Sequence, residues 1–155
     1  MRHDWQHILW DWNGTLLADT SICVDVLNEL MEERGLAPIS HSHYRETFDF
    51  PVIDFYRSLG FPMEQTDFEA TSHRFISRYE ELAGECPLHP GAFDLIRRIA
   101  AEERPQSILS AAQQSALEIA VKVYGLSECF RYLLGAENIF AHGKVDRGLQ
   151  WIQAS

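Results

Sequence analysis

Lysine is nearly absent from this sequence. Its 155 residues include only Lys122 and Lys144, and 13 basic residues stand against 23 acidic ones, which gives a net charge of −10 at pH 7. Nucleic acids and anionic membrane surfaces attract basic proteins, so this balance argues against either as the main partner. A small anionic substrate is not excluded, because a single site can be locally positive on an acidic protein.

Cysteines and long apolar segments are also scarce. The three cysteines, Cys23, Cys86 and Cys129, are odd in number and lack the spacing of a metal site, which favours reduced thiols. The amino terminus is polar, and no apolar run approaches the length that spans a membrane. We therefore predict a cytoplasmic protein without a membrane partner.

Apolar residues are plentiful, at 46% of the chain, and suffice for a packed core. After residue 87, short apolar runs alternate with helical periodicity, which is typical of a parallel α/β sheet. Residues 18–86 carry mainly helical periodicity and predict an inserted helical domain. The predicted fold is thus α/β, with a Rossmann-like parallel sheet built from residues 1–17 and 87–155.

Local patterns predict individual elements within this arrangement. Three short apolar runs predict strands, at residues 8–10, 107–109 and 130–134. Ser21 is a candidate cap for a helix over about 22–34, and His41-Ser42-His43 is interpreted as a loop.

The most informative stretch is the first predicted strand and the loop after it. Large apolar residues at 8–10 lead directly into Asp11, and Asn13-Gly14 is a dipeptide that favours a sharp turn. Ligands of open α/β sheets bind at the carboxyl ends of the strands. Asp11 is therefore a candidate nucleophile, with capping of the turn as the simpler alternative.

Three segments together are similar to a known family. Asp11-Trp12-Asn13-Gly14-Thr15-Leu16 resembles the first motif of the haloacid dehalogenase-like hydrolases, Gln106–Ser110 resembles the second, and Gly143-Lys144-Val145-Asp146 the third. The resemblance is nearest to a phosphoglycolate phosphatase-like branch with a small helical cap, here residues 18–86. The fourth motif of the family would lie beyond Ser155, so we expect an incomplete product of a longer gene.

The resemblance implies a Mg²⁺-dependent phosphatase that acts on a small phosphorylated substrate through an aspartyl-phosphate. It implies that Asp11 attacks phosphorus and binds Mg²⁺ together with the backbone carbonyl of Asn13, while Ser110 and Lys144 hold the phosphoryl group. Arg147 is an alternative to Lys144. Substrate binding is assigned to Gly14, Thr15, Ala111 and Arg45, although the sequence alone favours a solvated helix face for Arg45.

Asn13 departs from the family pattern, in which a second aspartate exchanges protons with the leaving group and water. An amide cannot exchange protons in this way. Hydrolysis could be slow, the substrate could carry a good leaving group, or the protein could be a non-catalytic relative that binds a phosphoryl ligand or another protein. A haloacid dehalogenase is a further alternative. An exposed sheet edge also predicts self-association.

Overall fold

A computed structural model describes residues 6–62, 64–84, 86–140 and 143–154. Their contacts divide the chain into two compact units. The α/β unit takes its described residues from 1–18, 88–138 and 144–155, and the helical unit takes its residues from 19–87 and 139–143. In chain order the elements are β1 (Ile8–Trp10), α1 (Thr20–Glu32), α2 (His41–Thr47), α3 (Val52–Ser58), α4 (Gln65–Ala83), α5 (Ala92–Ala101), β2 (Gln106–Gln113), α6 (Gln114–Val123), a 3₁₀ turn (Ser127–Cys129), β3 (Leu133–Ala136) and α7 (Val145–Ala154).

The α/β unit contains a three-stranded sheet in the order β1-β2-β3, with both neighbouring pairs parallel. Ile8 aligns with Gln106, and Ile108 aligns with Leu133. The parallel sheet and the helices between its strands confirm the predicted α/β class. Within the described chain β1 and β3 are the edge strands, and association through an edge stays a prediction.

A buried amide joins the sheet to its first covering helix. The Gln106 side chain accepts a hydrogen bond from the Trp10 indole and donates one to the Ile96 carbonyl in α5, both at 2.9 Å. Because both polar ends of the amide are paired, its burial leaves no unsatisfied group. In the same unit, Ile96 and Ile108 are fully buried apolar residues.

Gly135 lets α6 begin directly against β3. A Cβ at this position would lie 2.6 Å from the Gln114 Cα, which no larger residue could accommodate without movement. The Gln114 side chain accepts from the Gly135 N–H at 2.7 Å and donates to the Leu133 carbonyl at 3.0 Å. The start of α6 thus supplies β3 with hydrogen-bond partners where the ladder ends.

The helical unit is held together by a cluster of aromatic and aliphatic side chains. Its buried members come from α1, α3, α4 and the segment after α3, and they are Leu27, Leu30, Met31, Phe55, Tyr56, Phe61 and Phe68. Phe140 also packs on this cluster, with its ring centroid 5.9 Å from that of Phe68. Burial of these aliphatic and aromatic side chains stabilises the unit.

Three element predictions were wrong in detail. Residues 41–43 form the first turn of α2, because the Ser40 hydroxyl accepts from the His43 N–H at 3.1 Å. Asp19, not Ser21, is the N-cap residue of α1. The third strand is Leu133–Ala136 instead of 130–134, because the chain first makes the 3₁₀ turn.

No helix in the described ranges has the length and apolar character needed to cross a membrane.

Candidate active site

Asp11 follows the last residue of β1, at the carboxyl end of the sheet. Lys144 forms an ion pair with Asp11 Oδ1, although the two residues are 133 positions apart. The Thr15 hydroxyl donates to the other carboxylate oxygen, Oδ2, at 2.9 Å. The carboxylate remains 38% exposed. A ligand can therefore reach a carboxylate whose orientation is already set.

The loop after Asp11 is tightly wound around one carbonyl. The Trp12 carbonyl accepts from the N–H groups of Thr15, Leu16 and Leu17, at 3.2, 2.9 and 3.0 Å. Gly14 supplies the positive φ of +71° that this turn needs and that side chains disfavour. The Trp12 side chain is buried, with its ring 5.9 Å from that of Tyr124, so the loop is anchored in the core of its own unit.

Ser110 and Asn13 meet in the same unit. The Ser110 hydroxyl donates to Asn13 Oδ1 at 3.3 Å and accepts from the Ala112 N–H at 3.0 Å. Ser110 is buried, and Asn13 is half-buried. These bonds orient the amide and the hydroxyl relative to each other.

The predicted end of the second strand at Leu109 was wrong. β2 continues to Gln113, with a register shift between Leu109 and Gln113, so Ser110 and Ala111 lie within the strand at its irregular end. Such irregularities redirect side chains and terminate pairing.

Lys144 reaches Asp11 because of how α7 begins. The Lys144 carbonyl accepts from the Gly148 N–H at 3.0 Å, so Lys144 immediately precedes the helix. Gly148 permits a close approach to the sheet, since a Cβ there would lie 2.9 Å from Leu109 Cδ2. The start of α7 is thereby held near the carboxyl ends of the strands.

The structure thus brings together two pairs of the predicted residues, Asp11 with Lys144 and Ser110 with Asn13. Thr15 also contacts Asp11, a bond that sequence reasoning missed. The available signal was a hydroxyl residue four positions after Asp11, but the sequence analysis assigned Thr15 to substrate binding. The substrate-binding roles of Gly14, Thr15 and Ala111 stay predictions. Arg45 belongs to the helical unit, where it is exposed on α2.

The helical unit has a buried polar group that the sequence did not reveal. Asp19 is 1% exposed, and its carboxylate accepts from the Tyr79 hydroxyl at 2.6 Å. Burial, followed by the nearby charge of Asp19, raises the pKa of both Tyr79 and the Cys23 thiol. These groups stay protonated at neutral pH, which suits a structural role in this unit.

The oxygen atoms at the end of β1 bear on whether Mg²⁺ can bind here. The described residues contain no group of three or more His, Cys, Asp or Glu that could hold a metal ion. Mg²⁺ commonly uses one or two protein carboxylates and completes its shell with water and substrate phosphate oxygens. The Asp11 carboxylate and the Asn13 backbone carbonyl are oxygen donors of this kind, so the residues present fit an ion that shares a phosphorylated ligand.

The sequence pattern that defines the haloacid dehalogenase-like hydrolases matches residues 8–147. The chain belongs to this family. The matched segment includes both pairs, Asp11 with Lys144 and Ser110 with Asn13. Phosphoglycolate phosphatase from Rhodobacter capsulatus is similar, with 24% identity over 136 residues, which cover 85% of this chain. The chain spans 62% of the length of this relative.

Solved structures of the family share the fold. A haloacid dehalogenase-like hydrolase from Streptococcus pneumoniae aligns with a TM-score of 0.76 and 20% identity, over 96% of this chain and 69% of the other. A predicted phosphoglycolate phosphatase from Haemophilus somnus aligns with a TM-score of 0.70 and 14% identity, over 90% of this chain and 67% of the other. At these identities the likeness concerns the fold.

Proposed function

We propose that this chain carries the phosphoryl-transfer site of a phosphatase that acts on a small phosphorylated substrate. The observation that supports this most directly is the Asp11 carboxylate, exposed at the end of β1 and paired with Lys144. A carboxylate in this position can attack phosphorus and divide hydrolysis into two easier steps. The lysine offsets the negative charge that otherwise repels an anionic substrate.

In the proposed reaction, one Asp11 oxygen attacks phosphorus in line with the leaving oxygen and forms an aspartyl-phosphate. The ester bond from phosphorus to that oxygen breaks, and the leaving oxygen departs with the electron pair and takes a proton from water. Lys144 and the Ser110 hydroxyl stabilise the phosphoryl oxygens, and Thr15 keeps the second carboxylate oxygen in position. Mg²⁺, held by the Asp11 carboxylate and the Asn13 carbonyl, would supply further charge neutralisation. Water then attacks phosphorus, releases phosphate and restores Asp11.

The substrate class is a small phosphate monoester related to phosphoglycolate. The name of the Rhodobacter capsulatus relative supports this choice. We infer that the helical unit serves as the cap, for which the sequence predicted residues 18–86, and that Arg45 contributes to substrate choice. The thiols of the three cysteines agree with a reducing, cytoplasmic location.

Asn13 supports a second candidate, a relative that binds a phosphorylated ligand without turnover. Its amide has no proton to exchange with a leaving group or with water. The second candidate predicts binding of phosphate compounds without release of inorganic phosphate.

The experiment measures phosphate release from para-nitrophenyl phosphate and from 2-phosphoglycolate, with and without Mg²⁺. We expect turnover with Mg²⁺ and its loss in Asp11→Asn, which keeps the size of the side chain but removes the nucleophile. Asp94→Asn is the matched control, because Asp94 is an exposed acid in the first turn of α5. Turnover that persists in Asp11→Asn would refute the nucleophile, and binding without any turnover would establish the second candidate. Halide release from a haloacid without Mg²⁺ would instead indicate a dehalogenase.

A further inference from the structure

The chain leaves the α/β unit a second time just before Lys144. The contacts of Ile139–Gly143 assign this segment to the helical unit, although it follows β3 in the chain. Lys144, the next residue, belongs again to the α/β unit. We call Ile139–Gly143 the connecting segment. The lysine that pairs with Asp11 is therefore bonded directly to a segment that packs with the other unit.

Phe140 anchors the connecting segment within the helical unit. Its side chain is half-buried and packs on the aromatic cluster of that unit. The Phe140 ring lies 5.9 Å from the buried Phe68 ring and 6.0 Å from the His73 ring, which it meets almost at a right angle. Ring pairs at these distances attract each other beyond the effect of buried area. Phe140 thus has two partners on α4.

The other end of the connecting segment also lies against the helical unit. A Cβ added at Gly143 would lie 3.8 Å from the Phe50 Cβ, so the backbone of Gly143 passes close to Phe50. The φ of Gly143 is +129°, a conformation that residues with a side chain rarely adopt. Because Gly143 is bonded to Lys144, residues of the helical unit place the backbone on the amino side of the lysine.

The ion pair is too exposed to fix Lys144 by itself. The side chains of Lys144 and Asp11 are 27% and 38% exposed, and pairs with such exposure contribute little free energy. On its carboxyl side, Lys144 is held by α7, since its carbonyl accepts from the Gly148 N–H. On its amino side it depends on the connecting segment, because the four residues that lead from Phe140 to Lys144 span at most about 14 Å.

We propose that Phe140 is a positioning residue, whose packing in the helical unit keeps Lys144 paired with Asp11. Removal of the ring releases the connecting segment and lets the ammonium group leave the carboxylate. The consequence for phosphoryl transfer rests on the proposed function, in which Lys144 stabilises the phosphoryl oxygens. The helical unit thereby influences the reaction through a residue of the other unit.

The first test uses the scarcity of lysine, because the chain contains only Lys122 and Lys144. The folded protein is acetylated sparingly with the N-hydroxysuccinimide ester of acetic acid, and mass spectrometry of its peptides gives the ratio of label on the two lysines. Lys122 is exposed on α6 and serves as the internal reference. We expect the share of label on Lys144 to rise in Phe140→Ala towards its value in Asp11→Asn, which removes the charged partner.

Phe75→Ala is the matched control. Phe75 is also half-buried against the aromatic cluster, but it lies in α4, outside the connecting segment. Its removal should lower the free energy of unfolding about as much as removal of the Phe140 ring, and should leave the label ratio at the wild-type value. Phe140→Leu keeps an apolar anchor and should also label like the wild type. If Phe140→Ala does not fold, Phe140→Val replaces it, and the label on Lys144 should still rise.

The second test asks whether Phe140 acts through Lys144. With Mg²⁺ and para-nitrophenyl phosphate, Phe140→Ala should slow turnover by about 10–10²-fold, as a displacement of about 1 Å in a group at the reacting centre can do. In the Lys144→Ala chain, the same change should have almost no further effect, because the residue that it positions is gone.

The outcomes separate this inference from the proposed function. If the wild type releases no phosphate, the proposed function fails, and the label ratio still decides whether Phe140 positions Lys144. If the wild type turns over but the label ratio is unchanged without the Phe140 ring, the proposed function stands and this inference is overturned. An equal rise of label in Phe75→Ala, or equal slowing by Phe140→Ala with and without Lys144, would overturn it as well.

Discussion

The two units use polar side chains in opposite ways. In the α/β unit, an acid and a base pair at the exposed end of a strand, where both remain partly open to solvent. In the helical unit, the carboxylate of Asp19 is buried against Tyr79, and the exposed charges pair with each other between α1 and α4. The same residue types thus form the proposed reactive pair in one unit, and a buried hydrogen bond and surface ion pairs in the other.

Removing a ring from the aromatic cluster should have the largest effect on stability. Phe68 is 1% exposed in the helical unit, so Phe68→Ala should lower the free energy of unfolding by about 3–5 kcal/mol. Urea denaturation followed by circular dichroism measures this change. Phe93→Ala is the matched control. Because Phe93 is 41% exposed in the α/β unit, this variant should lower the free energy of unfolding much less. Equal losses would contradict the contrast between a packed cluster and an open surface.

Lys144→Ala tests the contrast from the other side. We expect phosphoryl transfer to slow by about 10²–10³-fold, as is typical when a donor to transition-state charge is removed. The free energy of unfolding should change by less than about 1 kcal/mol, because a partly exposed ion pair contributes little to stability. Single-turnover phosphorylation and urea denaturation separate the two effects.

Lys122→Ala is the natural comparison for that variant, since it removes the other lysine of the chain from an exposed position on α6. Its phosphorylation rate should equal that of the wild type. A large stability loss in Lys144→Ala with an unchanged rate would assign the lysine to structure instead of chemistry.

Tyr79→Phe should have an intermediate effect, confined to stability. It removes the hydroxyl that donates to the buried Asp19 carboxylate at 2.6 Å. Loss of a hydrogen bond to a charged group typically costs about 1.5–3 kcal/mol. Tyr132→Phe, at a residue 43% exposed, should cost much less. If both variants unfold at the same urea concentration, the bond to Asp19 does not stabilise the unit.

The smallest expected effect is a loss of stability at acidic pH that depends on His7. Desolvation, then the charge of Arg131, lowers the pKa of His7 below its ordinary value of 6.5, so the folded state binds fewer protons than the unfolded state. Stability should therefore fall as the pH decreases from 6.5 through the lowered pKa. His7→Gln should weaken this dependence in denaturation measured at pH 7.5 and 5.5. An unchanged slope would show that other groups cause it.

Sequence reasoning succeeded where a local pattern determines the outcome. The apolar run before Asp11 and the Asn13-Gly14 turn predicted the end of β1, and the alternation after residue 87 predicted a parallel sheet. It failed where a contact depends on residues far apart in the sequence. The bond between Asp19 and Tyr79 spans 60 positions, and Phe140 joins the helical cluster from a segment after β3. Neither leaves a periodic signal.

Intermediate cases depended on short capping contacts. The Ser40 hydroxyl turns two histidines that suggested a loop into the start of a helix. The extension of β2 to Gln113 depends on a register shift against β3, and single-strand periodicity cannot reveal such a shift. Elements were thus easier to predict than their ends. Lys144 was predicted beside the nucleophile, whereas the bond from Thr15 to Asp11 was missed.

The pairing of Leu17 with Leu88 has a practical consequence. These residues form an antiparallel bridge, and the His89 N–H donates to the Leu16 carbonyl at 2.9 Å. The chain therefore departs from the α/β unit and returns to it at neighbouring points, about one strand spacing apart. A foreign segment with adjacent termini could be grafted between positions 18 and 88 with little strain at either junction. Such a graft would leave the loop that carries Asp11 unchanged, because that loop lies before position 18.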